Sequence, residues 1–157
     1  MQRIPMTVDG YTALEEELKK LVTEDRVAVI GDISEARDHG DLSENAEYHA
    51  ARERQSFIEG RIMEIEGYLA RADVVRPEDV QGDTIKFAAT VGLLDDDSGE
   101  EVSYKIVGEP EADISQGRLN INSPLARALI GKRVGDPVEV STPRGDKSYE
   151  IVSICYK

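Results

Sequence analysis

Apolar residues recur with two different periods along this chain, and the change of period divides it. From Thr12 to about Arg37 there is no proline, and apolar or small residues recur at Leu14, Leu18, Leu21/Val22, Val29, Ile33 and Ala36, with Asp25 breaking the row. The mean step is about 3.67, an eleven-residue rhythm that describes a nearly straight amphipathic helix with one apolar stripe. The short entry from Thr7 to Tyr11 offers Asp9 or Thr12 as the cap of that helix. A second run at Tyr48, Ala51, Gln55, Ile58, Ile62, Ile65, Leu69 and Ala72 alternates steps of three and four, which is a heptad seam. Neither stripe can bury itself alone. A short connection makes the two helices antiparallel neighbours, each covering the other. About 25 residues at 1.5 Å each give an arm roughly 40 Å long. Gly60 and Gly67 fall on the outer face of the second helix, where each costs about 1 kcal/mol relative to alanine.

Pro77 stops the second helix and Gly82 marks a turn, so the boundary falls there: residues 1–76 form the arm, 77–83 a linker and 84–157 a second domain. Beyond the boundary the period is two. Thr84 to Leu94 reads as a strand, Asp95-Asp-Asp-Ser-Gly99 as a turn and Glu101 to Val107 as the returning strand. Residues Glu109 to Gly117 are irregular and acidic, and Arg118 to Asn122 is a short strand. Ser123-Pro124 opens a short helix that ends before Gly131. Pro137 to Ser141 and Lys147 to Cys155 form a final hairpin around Pro143-Arg-Gly-Asp146. The fold class is α+β: a two-helix hairpin, then a small antiparallel sheet packed on one short helix.

Charge changes this picture by exclusion. The 157 residues carry 32 acidic against 19 basic side chains, a net charge of −13. Overall charge therefore repels free nucleic acid and leaves a basic protein partner or a local basic patch as the route to binding. The single cysteine, Cys155, rules out an internal disulfide and reads as a packed thiol in a strand. No apolar run approaches the ~18 residues that span a membrane. The opening residues carry no secretory apolar stretch, so the expected location is the cytoplasm.

The candidate chemistry sits where the two helical patterns are interrupted, at Arg37-Asp-His-Gly-Asp-Leu-Ser-Glu-Asn-Ala-Glu-Tyr48. Gly40 suits a sharp reversal. Asp41 and Glu44, three apart, admit two readings that do not exclude each other. One is a capping box, with Asp41 capping the second helix and Glu44 reaching back to it. The other is a pair of hard oxygen donors for Mg²⁺, which is usually held by one or two carboxylates together with waters and phosphate oxygens. Two acids are too few for a private site and suit one completed by another macromolecule. Arg37 and Arg52 flank the acids, either as surface charges or as neutralisers of an RNA phosphate. Asp38 and Glu47 read as solvated helix-end charges, and His39 and His49 as solvent-facing rather than zinc ligands. The chain has no G-x-G-x-x-G, Walker loop, G-x-S-x-G or C-x-x-C.

Residues Ala36 to Glu53 closely resemble the signature of the bacterial transcript-cleavage factors of the Gre family. Ile4-Pro-Met6, Glu59-Gly-Arg-Ile62, Ile106-Val-Gly108 and Asn122 to Lys132 are similar to it too. Asn45 to Glu53 resembles the GreA branch more than GreB, whose second helix is more basic. The resemblance implies a coiled-coil finger and an FKBP-like second domain that docks on the rim of the secondary channel of RNA polymerase. It implies that Asp41 and Glu44 help hold a Mg²⁺ ion jointly with the polymerase and promote hydrolysis of the 3′ end of backtracked RNA. Arg37 and Arg52 match positions that contact that RNA. The factor would be inert alone, with no small-molecule substrate and no membrane partner. A channel-plugging module without cleavage is the alternative. A prolyl isomerase, suggested by the implied fold alone, is opposed by the scarcity of aromatic residues around Phe87.

Overall fold

A computed structural model describes residues 2–39 and 45–157. It divides the chain into two compact units, Tyr11–Arg71 and a second made of Met1–Gly10 with Ala72–Lys157. Where the sequence pattern draws its boundary at 77–83, the contacts place both ends of the helical region, residues 1–10 and 72–76, with the sheet.

In the helical unit, α1 (Val8–Lys20) runs through a π-helical turn, Leu21–Asp25, into α2 (Arg26–Arg37). The helix returns as α3 (Ala46–Arg71). The first helix starts four residues before Thr12, and its cap is neither Asp9 nor Thr12. The Thr7 hydroxyl accepts the Gly10 N–H at 3.2 Å, which satisfies one of the free donors of the first turn. The buried positions of this limb are Leu14, Leu21, Val29, Ile33 and Ala36. Leu14 to Leu21 is a step of seven and Leu21 to Val29 a step of eight. The π turn takes up the additional residue, so the stripe stays on one side of the helix. Ala51, Ile62 and Ile65 of α3 are buried, and Tyr48, Gln55, Ile58 and Leu69 are half-buried, along the expected heptad seam.

Three cross-helix ion pairs accompany the apolar seam. Arg26 grips Glu59 with two bonds of 2.8 Å. Arg61 grips Glu17 at 2.7 and 2.9 Å and also meets Glu64. Arg54 reaches Asp32 at 2.9 Å. These guanidinium bonds hold the carboxyls of Glu17 and Glu59 below their ordinary value.

Pro77 is not what stops α3. The helix ends at Arg71, and Ala72–Val75 forms strand β2, parallel to β1 (Ile4–Thr7) in the register Ile4↔Ala72 to Thr7↔Val75. Pro77 is buried in a 3₁₀ turn just beyond.

The sheet consists of β3 (Thr90–Asp95), β4 (Glu101–Val107), β5 (Arg118–Asn120), β6 (Pro137–Thr142) and β7 (Gly145–Cys155), in the order β5-β4-β3-β7-β6. Every neighbouring pair is antiparallel except β4 and β5 at one edge. The strand expected from Thr84 begins only at Thr90, because the backbone turns at Ala88, which is buried with φ of 75°. The short helix α4 (Pro124–Leu129) is as the sequence dictates. The Ser123 hydroxyl accepts the Ala126 N–H, and Gly131 follows with φ of 86°. Ile85, Val91, Leu93, Ile106, Ala126, Leu129, Val138 and Ile151 form the core between sheet and helix. Phe87 packs against it. The Asp95 carboxylate accepts the N–H groups of Asp97 and Ser98 at 2.9 and 3.3 Å and the Lys147 ammonium at 3.1 Å. Its oxygens are thus committed to the hairpin turn.

Candidate functional site

The reversal between α2 and α3 is built from both of its described ends. On the α2 side, the N–H of Asp38 donates to Glu35 O and that of His39 to Ala36 O, each at 3.1 Å, the tightening bonds of a final turn. On the α3 side, Asn45 is the cap: its Oδ1 accepts the Tyr48 N–H at 3.1 Å. The other end of the same amide, Nδ2, donates across the reversal to the Ala36 carbonyl at 2.6 Å. Only one orientation of the amide satisfies both partners, because a flipped group would set donor against donor and acceptor against acceptor.

Helix α3 begins at Ala46 under Asn45, and the capping-box reading falls on Asp41 and Glu44. Asp41 and Glu44 themselves lie outside the described residues. The sequence puts both between Arg37 and Ala46, in the connection that Asn45 closes.

Arg37 is exposed, with its guanidinium carbon 5.8 Å from the centroid of the Tyr48 ring, a cation–π approach. His49 meets the same ring edge-on at 5.5 Å, and both it and His39 are exposed. Arg52 is exposed on α3, in the second turn after the cap. The structure thus brings Arg37 onto Tyr48. Asp38 and Glu47 are exposed helix-end charges, as expected. A shallow groove beside the connection is lined by Asp32, Glu35, Ala36, Glu47, Ala50, Ala51 and Arg54. Arg54 is tied to Asp32 there, so among the described lining residues its charge is already paired. Among the described residues, no group of three histidines, cysteines or carboxylates could hold a metal ion. No described helix is long and apolar enough to cross a membrane.

Asn45 and Tyr48 are the residues that attention to acids and bases passed over. The readable signal was an asparagine three residues before an aromatic at the start of a heptad seam, which is an N-cap pattern.

Known proteins match along the whole length. Residues 4–74 match the family described as transcription elongation factor, N-terminal, and residues 80–156 the one described as transcription elongation factor, GreA/GreB, C-terminal. The transcription elongation factor GreA of Paracoccus denitrificans is 64% identical over 156 residues, 99% of each chain. That of Phenylobacterium zucineum is 58% identical over 154 residues, 98% of each chain. The crystal structure of GreA factor homolog 1 from Thermus thermophilus is 28% identical, covers 98% of this chain and 99% of its own, and superposes with a TM-score of 0.46. With both halves matched in order and identity near 60% from end to end, the chain belongs to the GreA/GreB family of transcription elongation factors.

Proposed function

We propose that this elongation factor carries Asp41 and Glu44 through the secondary channel of bacterial RNA polymerase and there promotes hydrolysis of the 3′ end of backtracked RNA, releasing arrested complexes. The observation that carries the reading is where the acids fall in the chain. Both lie in the connection between two long helices that are zipped by an apolar seam and by Arg26–Glu59, Arg54–Asp32 and Arg61–Glu17. Such an arm holds its end at a defined distance from its root.

The donor set fits magnesium in its chemistry. Two carboxylates are hard oxygen ligands, too few for tight binding alone and suited to an ion whose remaining ligands come from the polymerase and the RNA. The ion, when bound, would stabilise negative charge on the reacting phosphate and its oxygens. The chain's own contribution is placement: holding two carboxylates where that shared ion and the attacking water are needed. Arg37, steadied on Tyr48, and Arg52 supply positive charge for the backbone of the extruded RNA. The sheet domain docks on the channel rim. The protein without polymerase cleaves nothing, since the other ligands and the substrate belong to its partner.

The test is release of 3′ RNA fragments from backtracked complexes, with RNA labelled at either end. Wild-type protein accelerates release. Asp41→Ala with Glu44→Ala abolishes the acceleration while still competing for polymerase. Undiminished cleavage by the double variant overturns the assignment of these residues. Slowed nucleotide addition by the wild type, with no fragments, would mark a channel plug instead.

A further inference from the structure

We infer that the groove on the flank of the helical hairpin, floored by Ala36, Ala50 and Ala51 and rimmed by Asp32, Glu35 and Glu47, is a docking site for an arginine side chain of the polymerase. The inference rests on the proposed entry of the hairpin into the polymerase channel.

Alanine stands at 36 and 51 in the seam, where Val29, Ile33, Ile62 and Ile65 fill it further along, and again at 50 on its flank. Small side chains leave the flank uncovered at this level, and the space measures about 290 Å³. Sites that enclose a small molecule run from roughly 300 to 1,000 Å³. This groove is shallower and suits one long side chain laid along methyl groups. Among the described lining residues, three carboxylates stand against one guanidinium, Arg54, which Asp32 already holds at 2.9 Å. Among the described residues neither Glu35 nor Glu47 has an ion-pair partner. Glu47 lies in the first turn of α3, where the helix dipole favours an acid. Glu35 lies in the last turn of α2, where the dipole opposes one. A charge set against its own helix marks a position that answers to something outside the fold. A negative rim over an apolar floor repels phosphate and accepts a long cation, so this face turns to protein and not to RNA. Arginine suits it better than lysine, because the guanidinium is more weakly hydrated and its fork offers a carboxylate two N–H groups. No described group of three donors could hold a metal ion here. A side chain carried by a docked protein surface arrives already positioned.

Two full-length variants test charge and shape separately. Glu35→Gln with Glu47→Gln removes the rim charge that has no described partner and keeps the side-chain volume. Ala50→Met fills the groove from an exposed position and keeps the charge. Affinity for purified polymerase elongation complexes is measured by competition with labelled wild-type protein, and circular dichroism melts check that the helices are intact. Each variant should bind roughly fivefold more weakly, and the glutamine pair should also flatten the salt dependence of binding. A photoreactive amino acid in place of Ala50 identifies the occupant, and capture of an arginine-bearing polymerase segment supports the inference. Wild-type affinity in either variant overturns it, as does capture of RNA or of a polymerase segment without arginine. If the wild type binds polymerase but releases no RNA fragments, the proposed cleavage fails, while the affinities and the cross-link still decide the groove.

Discussion

Glu111 holds Thr7 through both of its carboxylate oxygens. Oε2 accepts the Thr7 N–H at 2.7 Å, and Oε1 accepts the Thr7 hydroxyl at 2.5 Å. Oε2 also accepts the N–H of Gly108 at 3.0 Å. The Thr7 hydroxyl in turn accepts from Gly10, so the cap of α1 is itself capped by a residue 104 positions away. Thr7 is 1% exposed, so its N–H depends on a partner within the protein. Removing Glu111 leaves three polar groups without their acceptor, at about 1–3 kcal/mol for each one left buried. Glu111→Ala should lower the stability of the sheet-bearing unit by about 3 kcal/mol, read as a shift in its urea midpoint.

The space around Gly10 makes a sharper test of the same joint. A Cβ on Gly10 would lie 2.1 Å from Glu111 Oε1, so Gly10→Ala must expel the carboxylate from its three bonds. Its cost should therefore be close to that of Glu111→Ala, and the two should not add. In a double-mutant cycle the second substitution should cost under about 0.5 kcal/mol. Gly108→Ala is different, because its Cβ would lie 1.9 Å from the carbonyl oxygen of Pro5, and backbone cannot step aside. That variant should be the most destabilised of the three.

The glycines of the arm behave oppositely. A Cβ at Gly31, Gly60 or Gly67 would meet nothing within 4 Å. Helical alanine exceeds glycine by about 1 kcal/mol because the unfolded glycine chain is freer. Gly60→Ala and Gly67→Ala should each stabilise the helical unit by up to that amount, seen as a higher midpoint when helix loss is followed by circular dichroism.

Acid should destabilise both units. The bonds to Arg61 hold the Glu17 carboxyl down, and those to Arg26 hold Glu59 down. The Asp97 N–H and the Lys147 ammonium lower Asp95, and the Ser115 hydroxyl lowers Asp113. A carboxyl whose folded value lies below its unfolded one binds fewer protons when folded, so stability rises with pH between the two. The contribution is complete above the ordinary values of 3.8 and 4.5 and is lost as pH falls through the depressed ones. Urea midpoints should be level from pH 7 to about pH 5 and then decline. Glu17→Gln with Glu59→Gln should flatten that decline for the helical transition, where both carboxylates pair across the hairpin.

How much of this was legible follows the range of the interactions. The two helical stripes, the α4 cap at Ser123 and the terminal hairpin are written in neighbouring residues, and the structure has them where periodicity and capping chemistry put them. The β1–β2 pair joins four-residue segments 68 positions apart with no alternation to announce them, so Ala72–Val75 read as the tail of a helix. Thr7 could not be preferred over Asp9 as a cap without Glu111. In the connection, the signature of Asp41 and Glu44 was plain, but the asparagine cap at 45 went unread. Asn45 reads locally as one more polar residue of that signature, and its bond to Ala36 is a cross-hairpin contact that spacing does not announce.

The π turn gives a prediction that runs against intuition about deletions. The buried positions up to its first residue, Leu14 and Leu21, are a step of seven apart, and those after it, Val29, Ile33 and Ala36, follow steps of four and three. Joined without the additional residue, the two series would form an unbroken heptad pattern. Thr23 lies inside the turn, is exposed, and bonds only back to the Lys19 carbonyl at 2.7 Å. Deleting Thr23 should convert the π turn to an α turn and keep every core residue on its side, at a cost within about 1 kcal/mol. Deleting Ser34, equally exposed, has no such slack beside it. It would rotate Ala36 by about 100° out of the seam and carry the Ala36 carbonyl away from Asn45. Circular dichroism melts of the two deletions should therefore differ by several degrees. Equal melts would mean that the additional residue at Leu21–Asp25 is not what keeps the stripe in register.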